Sequence, residues 1–228
     1  MGQHILSGNP PVPIILRKSA RARRISLRIS QLDGRVTLTL PRSVSEEEGI
    51  AFAREKEVWL RGHLARRGED QAVQFGARLP IEGIDRLICE GTGRRVTLTE
   101  DALYVPGNAD QVRARALAFL KQMARDKLAA ASDHYAKTLG KSYTRISIRD
   151  TRSRWGSCSS AGALMYSWRL ILCPPSVLNY VAAHEVAHLA EMNHSQAFWD
   201  TVNRIHGPYA TPRAWLRTNG SGLHAYQF

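Results

Sequence analysis

His184-Glu185-Val186-Ala187-His188, continuing through Leu189-Ala190-Glu191-Met192-Asn193 to His194, decides how this chain is read. On a helix, His184 and His188 stand one turn apart on the same face, so two imidazoles converge on one point. That spacing suits a tetrahedral metal, with zinc as first choice because it takes nitrogen ligands at short distance. Glu185 lies next to this face, where a carboxylate can take a proton from a metal-bound water. His194 completes the set if the helix ends between it and His188, and Asn193 in a left-handed conformation is the expected stop. The same letters on an exposed helix would be two chance histidines and a solvated glutamate. The flanks argue otherwise. Pro174-Pro175 is a good helix start, because the missing N–H would be unsatisfied there anyway. Val177, Leu178 and Val181 supply apolar surface to bury the turns before His184.

The three cysteines, Cys89, Cys158 and Cys173, form neither a C-x-x-C pair nor a disulfide framework. They place no thiol at ligand spacing, so the site reads as three neutral histidines with a fourth position open, which is the catalytic rather than the structural arrangement. Because the metal polarises the electrophile, Ser157 and Ser195 are not needed as nucleophiles. Cys158 reads as a buried thiol rather than a nucleophile, and His206 as a helix-end residue rather than a fourth ligand. Tyr166, Tyr180 and Tyr209, and with more charge Arg154 and Arg169, are candidates to contact substrate or an oxyanion. Reduced cysteines point to the cytoplasm. The opening MGQHILSGNPPVPIILRK does not read as a signal peptide, and no apolar run is long enough to span a membrane.

The 228 residues carry a net charge of +12, and only 6 of the 32 basic residues are lysine. Such a surface favours anionic partners, and arginine's bidentate fork suits phosphate and carboxylate. Nucleic acid is therefore a candidate partner beside a protein or peptide.

Along the chain, residues 1–18 read as an irregular lead-in because of Pro10, Pro11 and Pro13. Residues 19–106 read as a β-rich part with one helix. Ile25 to Ser30 and Val36 to Leu40 alternate with period two around an Asp33-Gly34 turn. A helix from Ser43 or Ser45 to about Arg67 follows, with Glu46, Glu47 and Glu48 in its first turn. Short strands are expected at 73–75, 78–81, 87–90, 96–99 and 103–105. Residues 107–228 form the second part. It has a long helix from Ala109 to about Leu139, a strand at 145–149, and a hairpin from Arg154 through the Ala161-Gly162 turn to Ile171. The motif helix comes next, then a helix capped by Ser195 and stopped at Gly207, a short amphipathic piece at 213–216, and a weak tail.

Arg154-Trp155-Gly156-Ser157-Cys158, Ser167-Trp168-Arg169-Leu170, Pro174 and Tyr180 to Glu185 carry a resemblance. So do His188, Asn193-His194-Ser195, Phe198-Trp199, Pro208-Tyr209 and Trp215-Leu216. In these residues the chain is similar to the YgjP-like metallopeptidases, a family related to the SprT-like zincins. The resemblance covers nearly the whole chain, departing at Val186, where leucine is usual, and at Ser167, where asparagine is usual. It implies an α+β fold in which a zincin-like, minimal metallopeptidase core packs a small antiparallel or mixed sheet on the metal helix, with a β-rich part in front. It further implies zinc held by His184, His188 and His194, with Glu185 as general base in peptide hydrolysis. An edge strand from Ala163 to Trp168 would pair with extended substrate, which adds Trp168 to the contact candidates Tyr166, Arg154 and Tyr209. Two other readings compete: a metal-dependent hydrolase of a non-peptide such as a nucleotide phosphoanhydride, and a nucleic-acid-associated module in which the metal only fixes the fold.

Overall fold

The computed structural model describes residues 2–30, 34–65 and 70–228, which divide into two compact units, Met1–Glu69 and Asp70–Phe228. Arg66, Arg67 and Asp33, on which the helix end and turn were expected, lie outside the described residues. The fold is α+β, with small sheets and separate helices.

The first unit is a four-stranded sheet of order β1-β2-β4-β3, built from β1 (Gly2–Leu6), β2 (Val12–Ser19), β3 (Ser26–Ile29) and β4 (Val36–Pro41). Strands β3 and β4 pair antiparallel as the alternation predicts, Ile29 opposite Val36. The irregular lead-in is a misreading. Prolines hide a period-two pattern in which Val12, Ile14 and Leu16 are buried and Pro13 faces outward, and β2 pairs parallel with β4. Helices α1 (Glu46–Glu55) and α2 (Glu57–Ala65) replace the single expected helix, because the chain breaks at Lys56. Ser45 accepts the Glu48 amide at 3.1 Å and caps α1. Leu38, Leu40, Ala53 and Leu60 are fully buried and make this unit's core.

The second unit begins with β5 (Gln71–Ala72), β6 (Arg78–Ile81), β7 (Ile84–Gly91), β8 (Thr97–Leu98) and β9 (Ala102–Pro106), the last four forming a sheet of order β6-β7-β9-β8. The strand expected at 73–75 is instead β5, and Val73 anchors the core just after it. The division expected near residue 106 falls inside this unit. Leu103 and Val105 of β9 share one core with Val112, Ala116 and Leu120 of α3 (Ala109–Leu139), so the β layer is covered by the helix that follows it. Asn108 caps the start of α3, and Gly140 ends it in the left-handed conformation that glycine adopts without cost. Every fourth residue of α3 from Val112 to Leu128 is buried, a stripe with alanine at 116 and 124.

Next come β10 (Arg145–Arg149), β11 (Gly156–Cys158) and β12 (Ala163–Ser167), in the order β10-β12-β11. Strand β12 is therefore central, parallel to β10 and antiparallel to β11. This corrects the expectation that Ala163 to Trp168 is an edge strand. The strand also ends early. Residues 168–172 form a 3-10 turn whose Ile171 carbonyl accepts the Glu82 amide at 2.7 Å. Helices α4 (Pro175–Ala187), α5 (Gln196–His206) and α6 (Ala210–Asn219) complete the unit, and the expected weak tail is ordered structure. A 3-10 turn at 220–224 leads to β13 (Tyr226–Gln227), which pairs with β5, and Phe228 meets the Trp168 ring edge-on. No helix among the described residues is long and apolar enough to cross a membrane.

Candidate metal centre

Helix α4 is buried almost all round: Val177, Leu178, Val181, Ala182, Ala183, Val186 and Ala187 are all in the core. Polar groups on such a helix cost free energy unless something compensates them. Yet its last turn carries His184 and Glu185, and His188 follows directly at its C-cap. The helix ends there through tight turns, the Leu189 amide reaching Val186 and the Glu191 amide reaching Ala187. Asn193 does not supply the stop, since it is not among the residues with positive φ. Instead the Ser195 amide donates to the Asn193 carbonyl at 2.8 Å, a three-residue turn with His194 at its centre. Ser195 sits at the start of α5 but makes no side-chain cap.

Those turns bring His184, His188 and His194 together, one ligand atom of each lying within 4.8 Å of the others. The Nε2 atoms of His184 and His194 are 3.0 Å apart. The Nδ1–H of His188 can donate to the Glu191 carbonyl at 2.9 Å, which leaves its Nε2 as a lone pair. His184 is held neutral, its pKa pushed down to about 3 by burial and then by His188, His194 and Arg213. Burial also lowers His188. Three imidazoles facing one point fit a divalent cation. Three such ligands are the donor set with which zinc keeps a fourth position for water or substrate.

Phe198, fully buried on α5, underlies all three rings at centroid distances of 4.9, 4.5 and 4.7 Å. Trp199 lies beside His184 and His194 at 5.7 and 5.8 Å. Glu185 is 6% exposed, and burial raises its pKa to about 8 against the opposing pull of Arg154. A cation beside it would draw that value down. Gly156 of β11 makes room for this carboxylate: a Cβ there would sit 2.6 Å from both Cγ and Oε1 of Glu185.

The family model of the YgjP-like metallopeptidase domain matches residues 23–219. The chain belongs to the YgjP-like family. A solved structure, the crystal structure of the metallopeptidase zymogen of Pyrococcus abyssi abylysin, is 20% identical to it. That likeness has a TM-score of 0.36 and covers 41% of this chain and 92% of the other. No curated protein matches the chain.

Within this YgjP-like domain the structure brings His184, His188 and His194 together, while Glu185, next to His184 in the chain, is buried within reach of the exposed Arg154, and Tyr209 is half-buried. It does not bring the other two contact candidates to a surface. Trp168 is fully buried at the turn after β12. Tyr166 is fully buried as well, its hydroxyl 3.0 Å from Ser132 of α3 and 3.5 Å from the Ala182 carbonyl of α4. Tyr166 lies on the face of the central strand β12 that is turned into the core with Leu164, and Trp168 is sealed in the turn that follows. Arg169 is likewise structural, bonded to Asp150 and to the Leu223 and Tyr226 carbonyls. Gly156, Phe198 and Arg213 were not singled out for the site from the sequence. Their roles depend on which strand and which helix faces meet the motif, and spacing does not carry that information.

Proposed function

We propose that the chain is a zinc-dependent peptidase, with His184, His188 and His194 as ligands and Glu185 as general base. The observation that carries this reading is three imidazoles converging on one point, with a buried carboxylate next in the chain to the first of them. When bound, zinc supplies a Lewis acid that polarises the scissile carbonyl and acidifies water. Glu185 accepts the proton of the attacking water and passes it to the leaving amine. Its burial raises its proton affinity and a bound cation lowers it again, so the two act in opposition on the base. Extended substrate would add to β11, which among the described strands pairs with β12 alone, rather than to β12. Free Cys89, Cys158 and Cys173 accord with the cytoplasm.

Glu185→Gln tests the mechanism. Metal content stays at that of the unsubstituted protein, while cleavage of an unstructured protein such as casein falls by at least ~10²-fold. Undiminished cleavage in that variant sinks the assignment of the base.

A further inference from the structure

Beside the metal centre, α5, α6 and the turn between them enclose a groove of about 450 Å³ lined by Asn203, Pro208, Tyr209, Arg213 and Arg217. Its connection to the histidines is direct. The Tyr209 ring stacks on Trp199 at 5.1 Å and on Tyr180 at 6.1 Å, and both of those rings touch His184. The Arg213 guanidinium lies 4.4 Å over Trp199, and its charge is felt at His184 and Tyr180.

The two arginines are one turn apart on α6, so both guanidiniums lie along the same wall. Like charges at this spacing repel. Neither guanidinium meets a carboxylate among the described residues. The contact with Trp199 restricts the rotation of Arg213 while its N–H donors stay available as a fork. Fork geometry matches a carboxylate, with both oxygens engaged at once. The Asn203 amide adds a further donor, while Pro208 and Tyr209 offer apolar surface to the adjoining methylenes.

We infer that this groove is a specificity subsite that takes a carboxylate of the substrate peptide. The inference rests on the peptidase reading for what the peptide is doing there. The carboxylate can come from an acidic side chain or from the peptide's C-terminus.

The test is a binding measurement on metal-loaded Glu185→Gln protein. The probes are dansylated octapeptides in which one Glu, Gln or Lys walks across an alanine background, each made with a free and an amidated C-terminus. In the best register the Glu peptide binds at least tenfold tighter than its Gln counterpart if the side chain is the source. Free-acid peptides bind at least tenfold tighter than amidated ones, whatever the walking residue, if the terminus is the source. Either preference falls below threefold when Arg213→Gln and Arg217→Gln are added. Arg217→Glu, which leaves the Arg213–Trp199 stack intact, shifts preference toward the Lys peptide. Equal binding of all probes, no binding, or a preference that survives the double substitution overturns the subsite. Casein cleavage by the unsubstituted protein separates the two readings: a carboxylate preference without cleavage sinks the peptidase, and cleavage without the preference sinks only the subsite.

Discussion

At the scale of single residues, the tightest constraint on the proposed base comes from a residue with no functional group. Gly156 has ordinary backbone angles, so its glycine answers a need for space rather than for conformation. Alanine there would press on Cγ of Glu185 as well as on the flexible Oε1, and the side chain cannot yield at its tip alone. Displacing a catalytic group by about 1 Å costs on the order of 10²-fold in rate. Gly156→Ala should therefore lose about that much peptidase activity while its far-ultraviolet circular dichroism and metal content match the parent's. The proposed ligands His184 and His188 and the proposed base are suggested by local spacing, 3.6 residues per turn, whereas His194 comes in through the turns after the helix. The part played by Gly156 does not show in local spacing, since it depends on a neighbour 29 positions away.

At the scale of elements, periodicity recovered most helices, and it failed where prolines or tertiary contacts intervened. Pro13 masks the β2 alternation, and the C-terminal segment is ordered by tertiary contacts, among them its pairing with β5. Asn193 was assigned a left-handed stop on its chemical tendency, but successive tight turns from Val186 to Glu191 do that work. The C-terminal segment depends heavily on Arg169, which is 8% exposed and donates to Asp150 at 2.8 Å, to Leu223 at 2.9 Å and to Tyr226 at 3.0 Å. Arg169→Ala leaves these acceptors short of a donor and should cost about 2–3 kcal/mol in urea unfolding. Burial pushes the Asp150 carboxyl up, but the Arg169 bond and charge outweigh it and hold it below the usual carboxylate range. Its contribution is therefore complete above about pH 4 and is lost as pH falls through the depressed value. Asp150→Asn should flatten that acid-side loss of stability.

Over the whole molecule, the three-histidine cluster, the buried Glu185 and the arginine-lined groove all belong to residues 70–228, while basic residues outnumber acidic ones on both sides of residue 70. The charge surplus is therefore spread over both units rather than confined to the candidate metal centre, where the immediate ring neighbours of the histidines are aromatic. That aromatic lining also gives the molecule an optical property. Of its five tryptophans, Trp199 lies within 6 Å of two proposed ligand rings and under the Arg213 cation, whereas Trp168 is sealed in the core. Zinc titrated into metal-free protein should change the emission in step with binding, and Trp199→Phe should remove most of that change while leaving the binding stoichiometry at one. The same indole faces the groove through Arg213, so a peptide arriving there should be visible in the colour of the light before any bond is cut.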